Sequence, residues 1–320
     1  MQGFVKVFLI RFLKFSVFII FCFSFATGGV NAKNPKNIVV SIKPLYGLAA
    51  KITEGTPHHL KLLYDGVRSP HGASLKPSEI GEIKHADLVV WVGPAYESGL
   101  QKYLARSANL LTLSQVRGML MLPNRFFHDH KTTENHGHDC HHHAHDDHHP
   151  CHHDHSPNAM DGHMWLHPHN ASMILRSLAS TLSISNPKYE KQYKNNLQRA
   201  LVDVRLAFLI LKKRVKPRVY LSFHDFSQYF DRAFGSQCVG VVTQDPHLPL
   251  SLKHLADLKA QIKKEKIDFL ITEPQFKADI LKKLSRKGVP IKTLDYLGTS
   301  LKANTFVYEE ILKSLAKSFY

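Results

Sequence analysis

Tyr189, Tyr193, Leu197, Leu201, Val204, Phe208, Leu211 and Val215 recur at steps of four or three. That spacing is one apolar face of a single α-helix, starting after Pro187 and ended by Pro217. About 29 residues at ~1.5 Å each make a rod of roughly 40 Å, long enough to cross a whole domain. A coiled-coil partner helix is the rival reading, and a repeat this short sits at the lower limit for it.

Strand–helix alternation flanks the rod on both sides. Before it, "NIVVSI" reads as a strand, and Pro44 opens a helix through about Ile52. "HLKLLY" is a strand, "PSEIGEIKHA" a helix and "DLVVWVG" a buried strand. A further helix, "YESGLQKYLARSA", leads to "NLLTLS". After the rod, "RVYLSF", "CVGVV", "DFLIT" and "PIKTLD" read as strands, with helices between them and one at the C-terminus. This alternation predicts an α/β protein: two Rossmann-like lobes with parallel sheets, joined by one long rigid helix. The expected divisions are a signal peptide over 1–32, an N-terminal lobe over 33–160 and a linking region with the helix over 161–216. A C-terminal lobe follows over 217–320.

Lys6, Arg11 and Lys14 precede "FSVFIIFCFSFA", and "VNA" ends at Ala32. A basic flank, a short apolar core and a small residue before the cut describe a secretory signal peptide. The apolar run falls short of the ~20 residues a spanning helix needs. Cys22 follows "IIF" and not the small-residue box of a lipidated cysteine. A soluble exported chain is expected. It keeps 39 basic side chains against 26 acidic ones, for a charge of +13. The lysines are scattered over helix-like segments and not clustered with aromatics, which reads as a solvated basic surface and not a nucleic-acid site. Cys140, Cys151 and Cys238 remain, an odd number that leaves at least one unpaired within a single chain.

Of 23 histidines, 13 lie between His128 and His155, many within "HDCHHHAHDDHHPCHHDH". Imidazole and thiolate suit zinc, nickel and copper. Runs of adjacent histidines cannot aim every ring at one ion, and the tract has almost no apolar residues to hold it still. A disordered loop over 125–160, binding metal loosely, is the expectation.

Four other residues are better placed to share one ion. His71 stands in "SPHGASLKPSE" before a helix, and His163 in "DGHMWLHPHNA" just after the tract. His224 ends the first strand of the second lobe, and Asp295 in "IKTLDYLG" ends its last. In α/β sheets the carboxyl ends of strands face the crevice where ligands bind. Donors converging there from both lobes could build a tetrahedral site.

"SPHGASLKPSEIGEIKHADLVVWVGPAYE", "DGHMWLHPHNA", "FHDFSQYF" and "ITEPQF" together resemble the zinc-specific solute-binding proteins of ABC uptake systems, the ZnuA type. The likeness covers nearly the whole mature chain in order, with the His tract where that family carries its charged loop. The resemblance implies a periplasmic, monomeric protein that holds Zn2+ between its lobes and delivers it to an ABC permease. It implies His71, His163 and His224 as metal ligands, with Asp295 at the acidic position that completes the site in manganese-type relatives. The sequence departs from that pattern in three places. His167 replaces the acid of the usual "WLDP", leaving a further candidate nitrogen near the cleft. Pro70 before His71 offers no carboxylate, and no cysteine follows Cys238 to form the second-lobe disulfide of some members.

Manganese is the alternative cargo, but it prefers oxygen ligands, and manganese-type relatives place a glutamate where His224 stands. A zinc hydrolase would also use three histidines with an open fourth position. It would need a general base, and the sequence contains no HExxH motif; Glu273 in "TEPQF" could serve as a base, though the family resemblance makes it structural. A metal-dependent adhesin or a zinc buffer is the third class, and a buffer would not require two lobes and a bridging helix. The expectation is a binding protein and not an enzyme.

Overall fold

The computed structural model describes residues 36–72, 74–104, 109–125, 127, 159–244, 250–277, 279–285 and 288–320. The expected signal peptide and the tract from His128 to His155, with Cys140 and Cys151, lie outside the described residues. Strands β1 (Asn37–Ile42), β2 (His59–Tyr64), β3 (Leu88–Trp91) and β4 (Leu110–Thr112) form a parallel sheet in the order β2-β1-β3-β4. Strands β5 (Val219–His224), β6 (Gln237–Thr243), β7 (Phe269–Thr272) and β8 (Ile291–Thr293) form a second, in the order β6-β5-β7-β8. Both sheets therefore have the same parallel order. β3 and β7 are buried along their whole length, as expected of strands covered on both faces by helices.

Nine α-helices surround the sheets among the described residues. They are α1 (Lys43–Thr53), α2 (Pro77–Lys84), α3 (Gln101–Leu104), α4 (Pro168–Ser185), α5 (Glu190–Arg214), α6 (Gln228–Phe234), α7 (Leu252–Lys264), α8 (Asp279–Leu284) and α9 (Val307–Lys317). The predicted helix over "YESGLQKYLARSA" starts only at Ser98, as a 3₁₀ turn, Ser98–Leu100, running into α3, and its last four residues lie outside the described ones. Its first residues are committed to a turn instead. The Glu97 carboxylate accepts the Val92 and Gly93 amides, and the Tyr96 and Glu97 amides donate to the Gly93 carbonyl. Helix α4 had no counterpart in the sequence reading.

The periodic segment is α5, entered through one 3₁₀ turn, Pro187–Tyr189. It joins the two lobes and packs against α4, α1 and α9. Tyr193, Ala200, Val204, Phe208 and Leu211 are buried on it, while Leu197 and Leu201 are half-buried. A polar residue, Asn196, is buried among them. Its amide donates to the carbonyls of Ile52 and Glu54 at 2.9 and 2.8 Å, satisfying acceptors that the end of α1 leaves open. Lys51, only 6% exposed, reaches Asp203 on α5 and Glu309 on α9. The C-terminal helix α9 thus packs on α1, beside the first sheet. Gly47 makes that approach possible, since a Cβ there would lie 2.8 Å from Val307.

Candidate metal centre

Each of the three histidines is positioned by a different local device. His71 lies in the loop between β2 and α2. Arg68 holds that loop, pairing with Glu79 at 2.6 Å and donating to the Ser74 carbonyl at 2.7 Å. Glu79 in turn accepts the Lys76 amide at 2.7 Å, fixing the start of α2. His224 is the last residue of β5, so the pleat of a buried strand sets its direction. His163 follows an Asp-Gly pair. Asp161 accepts both the His163 backbone amide and its Nδ1–H, each at 2.8 Å. Gly162 between them has no room for a side chain, because a Cβ would sit 2.5 Å from Tyr96.

These segments bring one ligand nitrogen from each of His71, His163 and His224 within 4.8 Å of one another. The three ring centroids lie 5.3, 5.0 and 5.1 Å apart. His163 and His224 are buried at 3% and 4% exposure, and His71 is partly open. Aromatic rings wall the site. Tyr96 packs edge-on against His71 and His163, and Tyr296 against His163. Behind them, Phe226 stacks on Tyr296.

The electrostatics favour a neutral imidazole at His163. Burial, chiefly, pushes the His163 pKa down to about 3. With Nδ1–H donated to Asp161, the free lone pair is on Nε2, which is buried without a partner. A buried polar atom left unpaired costs on the order of 1–3 kcal/mol, and a bound cation would remove that cost. Burial raises Asp161 to about 7 and Glu273 well above the usual carboxylate range. Glu273 follows β7 and lies 3.9 Å from His224 Nδ1, on a neighbouring strand of the same sheet.

Asp295 is not in the group of three. Its Oδ2 accepts the Thr299 hydroxyl at 2.9 Å and the Ser300 amide at 3.4 Å. His167 is not in the group either, and the further nitrogen expected near the cleft has another task. It is the N-cap of α4, where its Nδ1 accepts the His169 amide at 3.3 Å. Cys238 is a buried free thiol.

Arg125, at the edge of the predicted loop, is held firmly. It forks onto Asp225, the residue after His224, and its remaining nitrogen reaches Asp231 at 2.9 Å. Pro123 and Met160 pair as an antiparallel bridge, and the Asp161 amide donates to Leu122 at 2.8 Å. Tyr229 clasps both strands of this base, accepting from Leu122 and donating to the Asp161 carbonyl. The described residues on either side of the tract, 122–125 and 160–161, are therefore anchored beside two of the three histidines. Asp161 and Arg125 escaped the sequence reading; an acid two residues before a candidate ligand was the available signal for the first.

The family model for the periplasmic component A of zinc-uptake complexes, ZnuA, matches residues 38–320. The high-affinity zinc uptake system protein ZnuA of Brucella abortus is 33% identical, over 91% of this chain and 92% of its own length. The protein of that name from Haemophilus ducreyi is 34% identical, over 91% and 94%. A crystal structure of ZnuA superposes with a TM-score of 0.71 at 20% identity, covering 89% of this chain and 98% of that one. The Mn2+ complex of the solute-binding protein FpvC from Pseudomonas aeruginosa gives 0.70 at 16% identity, over 89% and 98%.

Proposed function

The chain belongs to the ZnuA family of periplasmic zinc-uptake components, and from that premise we propose how it holds its cargo. It is a zinc-binding protein of an uptake system. One Zn2+ is bound by His71, His163 and His224, with Asp161 fixing the tautomer of His163 from behind. The observation that carries this reading is the convergence of three imidazole nitrogens within 4.8 Å, from three separate segments of the chain. An all-nitrogen set suits zinc better than manganese, which prefers oxygen donors. Asp295 is a candidate for the open position through Oδ1, which is buried without a partner while Oδ2 is held by Thr299.

We propose the rest of the cycle from the family to which the chain belongs. The mature chain is exported to the periplasm, binds one ion as a monomer and passes it to an ABC permease. It carries out no hydrolysis. The acid most able to serve as a base, Glu273, is fully buried and packs against His224. Its place suits an outer support for that ring.

Competition titration with a zinc-sensitive chromophore tests the assignment. Each of His71→Ala, His163→Ala and His224→Ala should lower affinity by orders of magnitude while the apo circular dichroism spectrum is unchanged. Wild-type affinity in any of the three would remove that residue from the site.

A further inference from the structure

A cavity of about 860 Å³ meets the group of three histidines at His71, the only one of them that lines it among the described residues. A single hydrated donor needs little of that space, since one water occupies about 30 Å³ of liquid. Cavities of roughly 300–1,000 Å³ are the size that holds small organic ligands. Its floor is the Val92–Tyr96 turn beyond the carboxyl end of β3, with Ser114 beyond β4. That is the edge of a parallel sheet where ligands characteristically bind.

The lining narrows the chemistry. Ser98, Gln101 and Ser114 supply neutral donors and acceptors, while Met121 and Met160 form an adaptable apolar side. No lysine, arginine, aspartate or glutamate lines the cavity among the described residues. A ligand with excess charge would lose part of its hydration there with no counter-charge from the described lining, which is unfavourable. Three histidines also leave one position of a tetrahedral zinc site open.

We propose that this cavity binds a small, net-neutral, nitrogen-donor chelator of the amino-acid type. The protein then takes zinc as a ternary complex, in which the chelator supplies the fourth donor from the His71 side. The inference rests on the three-histidine site proposed above. Nitrogen donors suit zinc, and the neutral wall selects a zwitterion over a polyanion.

Equilibrium dialysis of the full chain with labelled zinc and labelled L-histidine tests it, with citrate as the polyanionic comparison. Zinc and histidine should be retained together, with citrate excluded. Ser98→Trp fills the cavity and leaves the histidine tract intact. It should hold zinc alone within about twofold of wild type and bind histidine at least about tenfold more weakly. Ser114→Phe provides the same test from the opposite wall should Ser98→Trp not fold. Zinc retained without histidine, zinc stripped by histidine, or equal histidine retention in the filled variant would each overturn the proposal. Tight retention of zinc by His163→Ala in a chain lacking residues 128–155 would instead overturn the underlying site.

Discussion

Asp161 and His163 are joined twice, through the backbone amide and through Nδ1 of His163, each at 2.8 Å from the same carboxylate oxygen. One acid thus sets the ring's position and its tautomer, and turns Nε2 toward the other two histidines. Support of this kind is characteristically worth 10–100-fold in metal affinity. Asp161→Ala should lose zinc affinity by about that factor while its fold is kept. Asp161→Asn, which retains an acceptor oxygen, should fall between it and wild type. Equal affinities for the three proteins in a competition titration would show that His163 needs no such support.

A second prediction concerns Arg125. Its guanidinium faces two buried acids, Asp225 and Asp231, and burial raises Asp231 to about 6 despite that neighbour. Removing one partner of such a cluster leaves uncompensated charge. Arg125 is itself 21% exposed, so the usual penalty is reduced to about 2–4 kcal/mol for Arg125→Ala. Arg125→Lys should recover only part, because an ammonium cannot fork onto a carboxylate. Denaturant unfolding of the zinc-free proteins measures this, and an unchanged midpoint for Arg125→Ala would reject it.

His224 was readable in the sequence as a strand end because a short motif and a strand boundary sit side by side in "LSFHDF". The Arg125 network was not, since Asp225 and Asp231 lie 100 and 106 residues away and no local pattern reports that distance. Helix α4 was readable in principle. Ala171, Ile174, Leu175, Leu178, Ala179 and Leu182 are buried at helical spacing, but alanines and serines dilute the pattern and the histidine tract sits just before it. His167 misled for a physical reason. The position needs a hydrogen-bond acceptor at the start of a helix, which a carboxylate or a neutral imidazole can supply, so a histidine there implied a ligand that the fold uses as a cap.

That cap makes stability depend on pH. Burial, followed by the charges of His169, Arg232 and Lys212, lowers the His167 pKa to about 4 from an ordinary value of 6.5. Above 6.5 the ring is neutral in both folded and unfolded chains, and its contribution is fully present. As pH falls from 6.5 toward 4 the unfolded chain takes up the proton first, so that contribution is lost. His167→Asn keeps a cap that does not titrate over this range. Melting temperatures of the zinc-free proteins should diverge below pH 6.5, with the variant declining less steeply. Parallel curves would remove His167 as a source of acid sensitivity.

Asp295 should matter less than any histidine of the group. One of its carboxylate oxygens, Oδ2, is already engaged by Thr299 and Ser300, and it lies outside the group of three. Asp295→Ala is expected to change zinc affinity by less than about tenfold, within the range of an outer contact. A loss equal to that of His224→Ala, read in the same titration, would make it a direct ligand.

The exported chain should begin at Lys33. Intact-mass measurement of protein recovered from the periplasm should show the loss of residues 1–32, and a full-length product held in the membrane would overturn the export assignment.

Zinc titration of the mature chain lacking residues 128–155, with and without His163→Ala, separates the histidine cluster from the histidine tract. The deletion leaves the paired base at Pro123 and Met160 in place. It should remove weak sites and keep one tight ion, because adjacent histidines cannot all aim at one ion, whereas His71, His163 and His224 already converge. Adding His163→Ala should then abolish the tight ion. Loss of the tight ion on deletion alone, or its survival in the double variant, would contradict the assignment of His71, His163 and His224 as the zinc site.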